Sequence, residues 1–382
     1  MNIMITGAQG FMGRNLQQFL NQRPNAADDV IFPIDLATDA QELHDAAKQA
    51  DFVFHLAGVN RPENTDDFMR GNSDFTKELL SLLQAAKKPP VLLSSSTQAG
   101  LQNPYGQSKR AAELEVREYG ERCGTPVYIY RLTNAFGKWS RPNYNSVVAT
   151  YCYAISRGMP ISVSNPDAPL HFNYIDDIAA EFIRALDDQP TRENEFCVVS
   201  PTHDIKLGEL AALIRSFDTD RKALNVPDQS DPFTKKLYST YLSFLPPEDF
   251  ANSPSIHSDH RGSFTELFHM GERGQVSVNI SKPHITKGEH WHHSKHEKFV
   301  VVVGEGIIRF RKIGDTTVIS YRVSGDAPQI VDIPPGYTHN IENLGDCDMV
   351  TIMWANECFD PSNPDTIYLP VAAPSNQQRK EI

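Results

Sequence analysis

The strongest constraint on the fold is a change of pattern partway along the chain. From Met1 to about Gln189, short apolar runs such as "NIMITGA" and "PVLLSSS" alternate with longer amphipathic segments such as "FMGRNLQQFLNQ". Strands that are apolar throughout and alternate with helices are typical of a parallel sheet covered on both faces. The sequence therefore predicts a doubly wound α/β fold for the first part of the chain.

After about Ser255 the pattern becomes one of short strands separated by glycine and proline, as in "KFVVVVGEG" and "TVISYRVSGD". Such a series predicts an antiparallel sandwich or barrel. A proline-rich segment, "STYLSFLPPEDFANSPS", lies between the two patterns and is a candidate connector. We predict a first domain over residues 1–243, a linker over 244–254, an all-β domain over 255–372 and a disordered tail over 373–382.

Composition narrows the class of protein. With 382 residues and 40% hydrophobic content, two globular domains are expected. The net charge of −12 argues against a nucleic-acid partner, and no apolar run approaches the roughly 20 residues of a membrane span. The five cysteines lack CxxC spacing and no signal peptide is evident, which predicts a cytoplasmic protein.

The segment "TGAQGFMG" places Gly7, Gly10 and Gly13 between the first predicted strand and the first helix. Glycines there permit a tight turn and let a dinucleotide pyrophosphate approach the helix N-terminus. Asp35 ends the second strand, where an acid would accept hydrogen bonds from a ribose and favour NAD, although a helix cap explains it equally well. Arg14 could instead meet a 2′-phosphate or be an exposed helix residue.

A second candidate site is the segment "LLSSSTQAGLQNPYGQSK", which contains Ser96, Tyr105 and Lys109. Tyr105 and Lys109 are four residues apart and would share one face of a helix. A ketone that accepts a hydride also needs a proton on its oxygen, and a phenol whose pKa is lowered by a nearby ammonium can supply it. Ser96 would hold the carbonyl in place.

A third candidate site lies in the predicted all-β domain, at His290, His292, Glu297 and His339. His290 and His292 are two apart, so they share one face of a strand. Three imidazoles and one carboxylate suit zinc and also Mn, Fe or Ni. A histidine-rich surface strand is the alternative.

The first part of the chain resembles the extended short-chain dehydrogenase/reductase family in "TGAQGFMG", "HLAG", "SSST", "YGQSK", "RLTNAFG" and "FNYIDDIA". The resemblance implies a nucleotide-sugar substrate bound near Asn134, Arg141 and Asn143. It also implies a nicotinamide cofactor bound by the three glycines and their neighbours, by the "HLAG" loop, and by Tyr105 and Lys109. The remaining residues assigned to the cofactor are Phe11, Met12, Arg14, Asp35, Leu56, Ala57 and Gly58.

The last part of the chain resembles the cupin family. It contains both motifs of that family, HxHx4Ex6G and PxGx2Hx3N, but has Pro328 at a position where the family has a glycine. Some cupins are isomerases of 4-keto-6-deoxy sugar nucleotides. His293, Lys298 and Tyr337 are the candidate acid–base residues, and the metal could instead be structural.

The whole chain resembles bifunctional enzymes of capsular polysaccharide synthesis, as in "HLAGVNRPE", "FGKWSRPNYNSV" and "GYTHNIENLGD". That resemblance implies a homodimer that epimerises C3 of a UDP-linked 4-keto-6-deoxy-N-acetylhexosamine and then reduces C4 with NADPH. The product would be UDP-2-acetamido-2,6-dideoxy-L-talose, en route to UDP-N-acetyl-L-fucosamine for capsule or O-antigen. Asp35 fits NADPH poorly. Two alternatives are a reductase with a structural cupin and a non-enzymatic sensor of nucleotide sugars or NADP.

Overall fold

The computed structural model describes residues 1–24, 26–362 and 364–372. The chain divides into two compact units. The first comprises residues 1–216 and 231–247, and the second comprises residues 217–230 and the chain from Glu248 onward. The segment 217–230, which the sequence placed in the first domain, thus groups with the second unit. The predicted tail, 373–382, lies outside the described residues, and the predicted domain limits remain a prediction.

The described residues of the first unit form ten strands and most of the helices. Its strands are β1 (Asn2–Thr6), β2 (Val30–Ile34), β3 (Phe52–His55), β4 (Val91–Ser96), β5 (Val127–Leu132), β6 (Asn134–Phe136), β7 (Pro169–Tyr174), β8 (Arg192–Glu193), β9 (Phe196–Cys197) and β10 (His203–Lys206). The helices are α1 (Phe11–Asn21), α2 (Ala40–Gln49), α3 (Asp66–Phe68), α4 (Phe75–Ala85), α5 (Pro104–Cys123), α6 (Val147–Ile155), α7 (Ile175–Leu186), α8 (Leu207–Lys222) and α9 (Pro232–Leu242). A π-helical segment, Met69–Asp74, precedes α4.

The main sheet of the first unit has the strand order β2-β1-β3-β4-β5-β9-β8. Its pairs are parallel except for the edge pair of β8 with β9. The strand order changes direction between β1 and β3, and in open α/β sheets ligands bind at the carboxyl ends of the strands beside such a point. The loops that follow β1 and β3 flank this crevice. A smaller sheet has the order β10-β7-β6.

Alternate residues of β1 belong to two separate cores. Ile3 and Ile5 pack in a cluster with residues of α1 and α7, and Met4 packs in a second cluster with residues of α2, α4 and α5. Because successive side chains of a strand point to opposite faces, the helices cover both faces of the sheet. The predicted doubly wound α/β fold is confirmed.

The second unit is mostly antiparallel β structure. Its strands are β11 (Ile256–Asp259), β12 (Gly262–His269), β13 (Gln275–Ser281), β14 (Thr286–Trp291), β15 (Glu297–Val303), β16 (Glu305–Lys312), β17 (Val318–Ser324), β18 (Val331–Ile333), β19 (Tyr337–Asn343), β20 (Met349–Ala355) and β21 (Ile367–Tyr368). They form two sheets, ordered β11-β12-β13-β20-β15-β18 and β17-β16-β19-β14-β21.

The core of the second unit contains side chains of both sheets. Phe299 and Val301 of β15 meet Ile308 and Phe310 of β16 and Ile341 of β19 in one buried cluster. This places the inner face of β15 opposite the inner face of β19. Glu297 is on that face of β15 and His339 on that face of β19, so the packing of the two sheets brings these side chains together. Among the helices of the described residues, none is long and apolar enough to cross a bilayer.

Candidate functional site

The turn between β1 and α1 is closely packed at two of its glycines. Gly7 has a positive φ of 69°, and a Cβ there would lie 2.8 Å from the backbone nitrogen of Ala57. A Cβ on Gly13 would overlap the carbonyl oxygen of Gly7 and lie 2.7 Å from Cα of Ala8. Only glycine fits either position without displacing backbone. Gly10 caps α1 with its backbone, so the free N–H groups of the first turn are available to an anion.

Phe11 and Met12 pack against the apolar core beneath α1. Their side chains therefore contribute to the core, and a bound cofactor would contact their backbone amides. Arg14 is exposed, and its guanidinium carbon lies 5.6 Å from the centre of the Trp139 ring.

Asp35 braces the glycine turn. Its carboxylate accepts hydrogen bonds from the N–H of Gln9, at 2.7 Å, and from the N–H of Leu36, at 2.8 Å. The alternative that Asp35 caps the next helix is wrong, because Asp39 caps α2 through the N–H of Glu42. Contact of Asp35 with a ribose remains a prediction.

Ser96, Tyr105 and Lys109 lie on neighbouring elements, with Ser96 at the carboxyl end of β4 and the other two in the first turns of α5. Burial raises the pKa of the half-buried Tyr105, and its hydrogen bond with Ser96 acts in the opposite direction. Lys109 is buried and its Nζ donates to the carbonyl of Ser94 at 2.7 Å. Burial lowers the pKa of Lys109 to about 8, and the neighbouring Glu113 opposes that shift.

The expected lowering of the Tyr105 pKa by Lys109 is not the dominant effect. The amine of Lys109 is engaged with a backbone carbonyl, and burial outweighs the Ser96 hydrogen bond at the phenol. Tyr105 therefore keeps its proton at neutral pH.

The loop after β3, which holds Leu56, Ala57 and Gly58, closes over the same site. A Cβ on Gly58 would lie 3.4 Å from Nζ of Lys109 and 2.8 Å from Oδ1 of Asn72. Asn72, which sequence reasoning did not single out, accepts from the N–H of Val59 and donates to Oγ of Ser108, both at 2.9 Å. Asn72 thus ties the loop to α5. Its position in an amphipathic helical segment gives no signal of this role.

The three predicted substrate residues are in two places. Asn134 is exposed on β6 and donates to the carbonyl of His171 at 3.2 Å. In the loop before α6, the Arg141 guanidinium lies over the Tyr144 ring, and the N–H of Asn143 donates to Oγ1 of Thr150. Their contacts with substrate remain a prediction.

In the second unit, His290, His292, Glu297 and His339 come together as predicted, with candidate ligand atoms within 4.8 Å of one another. His290 pairs with His339 across β14 and β19, after a register shift at Glu289. Nε2 of His292 and Nε2 of His339 each lie 3.5 Å from Oε2 of Glu297.

Four polar atoms of this cluster make no hydrogen bond within the described part of the chain. Nε2 of His292, Oε2 of Glu297 and both ring nitrogens of His339 are buried without a hydrogen bond to any described residue. Such atoms carry a large desolvation cost, which a divalent cation would remove. Burial, with the other two imidazoles, lowers the pKa of His290 to about 4. His290 is therefore neutral at pH 7, the form that binds metals. Three imidazoles and a carboxylate fit zinc.

Asp365 supports the cluster from outside, and sequence reasoning missed it. Its carbonyl oxygen accepts from Nδ1 of His292, which directs Nε2 of that ring towards Glu297. Its carboxylate accepts from the consecutive N–H groups of His293, Ser294 and Lys295 at 2.8–2.9 Å. These bonds hold the pKa of Asp365 well below its usual range, although burial opposes them.

A cavity of about 240 Å³ adjoins the cluster. Besides the four candidate ligands, its polar lining includes Lys287, Lys295, Asn279 and Thr366.

The predicted acid–base residues His293, Lys298 and Tyr337 are not among the described residues that line this cavity. Lys298 follows Glu297 on β15, so strand alternation turns it outward, where it pairs with Asp332. His293 is exposed beyond the end of β14, and Tyr337 packs against the apolar core.

Two family descriptions match the chain. "NAD dependent epimerase/dehydratase family" matches residues 3–199, and "Polysaccharide biosynthesis C-terminal domain" matches residues 257–367. A Pseudomonas aeruginosa protein named UDP-2-acetamido-2,6-beta-L-arabino-hexul-4-ose reductase is 42% identical over 367 residues, which are 96% of this chain and 98% of that protein.

Solved structures also resemble this chain. The crystal structure of the capsular polysaccharide assembling protein CapF from Staphylococcus aureus is 52% identical, with a TM-score of 0.92, over 97% of this chain and 100% of that chain. A UDP-glucuronic acid 4-epimerase from Bacillus cereus, solved with NAD, is 18% identical with a TM-score of 0.51, over 57% of this chain and 83% of that chain. At this identity the second likeness shows the fold alone.

Proposed function

This chain belongs to the NAD dependent epimerase/dehydratase family and is a CapF-like protein, and from that premise we propose that it epimerises and then reduces one UDP-linked ketosugar. It is a nucleotide-sugar enzyme with reductase activity that uses a nicotinamide cofactor. The finer proposal is that the second unit inverts C3 and the first unit reduces the C4 ketone with NADPH. A relative whose printed name specifies a UDP-linked hexul-4-ose, a sugar with a ketone at C4, supports that substrate class.

The reductase half rests on one observation, the arrangement of Ser96 at the carboxyl end of β4 with Tyr105 and, one helical turn further along α5, the buried Lys109. A hydride moves from the reduced nicotinamide to C4, and the carbonyl electron pair moves onto oxygen. That oxygen takes the Tyr105 hydroxyl proton, and solvent then restores the proton to the tyrosine. Because burial raises the pKa of Tyr105, the phenol holds the proton until the oxygen becomes basic.

The epimerase half rests on the cavity of the second unit. When bound, a divalent metal held by His290, His292, Glu297 and His339 would polarise a carbonyl as a Lewis acid. The C3–H bond is weakened because its electron pair can form a double bond to C4 while the ketone oxygen becomes negative.

Lys287 is the proposed acceptor of the C3 proton. Its Nζ donates at 2.8 Å to Oδ1 of Asn279 and to the carbonyl of Ile280, so a neutral amine there keeps its lone pair free. Burial lowers the pKa of Lys287, which favours that neutral form. A solvent proton returned to the opposite face inverts C3.

The reduction at C4 favours the epimerisation at C3. The ketone that acidifies C3 is removed when C4 is reduced, so the reduction fixes the new configuration and draws a reversible epimerisation forward. We propose UDP-2-acetamido-2,6-dideoxy-L-talose as the product, made by a cytoplasmic homodimer for capsule or O-antigen synthesis. The resemblance of the whole chain to CapF-type enzymes supports this assignment.

Deuterium exchange and NADPH oxidation test the two halves separately. In D₂O without NADPH, NMR of the UDP-4-ketosugar should show exchange at C3, which Glu297→Ala and His339→Ala abolish. Tyr105→Phe should abolish NADPH oxidation and spare the exchange, while Tyr153→Phe on α6 serves as the matched control. If the wild type shows no exchange, or exchange that both ligand variants leave intact, the second unit has no epimerase role. Loss of both activities in Tyr105→Phe would contradict separate sites.

A further inference from the structure

Lys295 is a buried residue on the wall of the cavity beside the candidate metal ligands. The residue lies in the turn between β14 and β15, and only 7% of its surface is exposed. It lines the same cavity as His290, His292, Glu297 and His339. Lysine is almost never buried to this degree, so the position of this side chain is unusual.

The Lys295 ammonium has no anionic partner among the described residues. Nζ makes no hydrogen bond or ion pair with them, and its described contact is the ring of Phe359, whose centre is 5.9 Å away. A cation–π contact of this kind contributes only about 0.5–2 kcal/mol, and it leaves the N–H groups of the ammonium free to bind an anion.

The backbone fixes Lys295 in this place. Its N–H donates to Oδ2 of Asp365 at 2.9 Å, and the two preceding N–H groups bind the same carboxylate. Asp365 thus orients one candidate metal ligand and positions an unpaired cation beside it.

We propose that Lys295 is a catalytic residue that stabilises the negative oxygen formed when C3 of the ketosugar loses its proton. The inference rests on the proposed epimerisation. Lys287 takes the proton, and Lys295 contributes a fixed positive charge that no described side chain neutralises. A preorganised charge of this kind acts most strongly in a site that excludes water, and it needs no reorganisation when the oxygen becomes negative.

The other anion that the Lys295 ammonium could bind is the diphosphate of the substrate. Binding the diphosphate and stabilising the oxyanion affect different steps of the reaction. A charge that meets the diphosphate strengthens binding of substrate and of UDP alone. A charge that meets the developing oxyanion accelerates exchange at saturating substrate and leaves binding of UDP unchanged. The two roles are therefore separated by a kcat-against-KM comparison.

The experiment compares Lys295→Met, Lys295→Gln and Lys295→Arg with Lys282→Met, an exposed lysine of the same unit that pairs with Asp348. C3 deuterium exchange of the UDP-4-ketosugar is measured without NADPH, together with UDP affinity by calorimetry and zinc affinity by chelator competition. The neutral variants should lower exchange at saturating substrate by on the order of 100-fold, while Lys295→Arg recovers at least a tenth of the wild-type rate. UDP affinity should not change, and zinc affinity should hold or rise because a nearby cation has been removed.

The role of Lys295 and the proposed epimerisation would be overturned by different results. Near wild-type exchange in the two neutral variants, or a defect confined to KM and UDP affinity, would overturn the role of Lys295. Zinc loss in both neutral variants would show a structural lysine instead. If only Lys295→Met fails to fold, Lys295→Gln decides. Absence of exchange in the wild type would overturn the proposed epimerisation itself.

Discussion

Nε2 of His292 lies 3.5 Å from Oε2 of Glu297, and neither atom makes a hydrogen bond with any described residue. His292 is held in this orientation from behind, because its Nδ1 bonds to the carbonyl of Asp365. With the ring proton on Nδ1, Nε2 of His292 and Oε2 of Glu297 both present lone pairs, and a cation is the partner that both atoms can bind. Metal ligation explains this geometry better than an ion pair does.

Glu297→Gln should therefore weaken zinc binding by roughly 10–100-fold or more, since the anionic ligand becomes a neutral amide. Chelator competition measures the affinity. The thermal midpoint should rise with added zinc in the wild type, by the equivalent of about 2.7 kcal/mol at 100 times the Kd, and much less in the variant. Glu272→Gln, at an exposed turn of the same unit, is the control. Equal zinc affinity in both variants would exclude Glu297 as a ligand.

The cluster of four candidate ligands could be predicted from sequence, but the residues around it could not. The HxH spacing on a strand puts two imidazoles on one face whatever the rest of the fold does. The sequence predicts Lys298 as an acid–base residue and does not single out Lys295. In the structure β15 begins at Glu297, which turns Lys298 outward and leaves Lys295 in the preceding turn. Asp365 is 73 residues from His292, and only tertiary packing brings the two together.

The glycine turn of the first unit should tolerate no side chain at Gly13. A Cβ there meets backbone rather than a movable side chain, so Gly13→Ala should lower the free energy of unfolding by roughly 1–3 kcal/mol and weaken NADPH binding severalfold or more. Gly100→Ala is the matched control, because no described atom lies within 4 Å of its added Cβ. Denaturant unfolding and fluorescence titration of NADPH measure the two effects. Similar behaviour of the two variants would contradict the tight turn.

The sequence predicted this turn because strand, glycines and helix follow one another without interruption. It could not predict what Asp35 does, since an acid at the end of β2 can bind a ribose, cap a helix or brace a loop. The structure shows the brace, through the N–H of Gln9. That contact joins β2 to the turn after β1, and the pairing of two strands cannot be read from either one alone.

Cofactor preference depends on which charge the adenosine ribose meets. We expect kcat/KM to favour NADPH over NADH, with Arg14 beside the 2′-phosphate, so Arg14→Met should lower kcat/KM for NADPH about tenfold and leave NADH unchanged. Arg122→Met, exposed at the far end of α5, is the control. A wild-type preference for NADH, or an equal loss with both cofactors, would contradict this assignment.

His55 makes the first unit sensitive to acid. Its ring is buried between Oγ1 of Thr6 and Oγ1 of Thr76, each at 2.7 Å, and burial lowers its pKa from 6.5 to about 3. Below pH 6.5 the unfolded chain takes up a proton that the folded chain refuses, so the free energy of unfolding falls as the pH is lowered towards 3, by up to about 1.4 kcal/mol per pH unit. His55→Gln should flatten this dependence between pH 6.5 and 4.5, measured by urea unfolding with EDTA present, because no group at position 55 then titrates. His44→Gln, exposed on α2, should retain the wild-type slope; if His55→Gln retains it too, the acid sensitivity arises elsewhere.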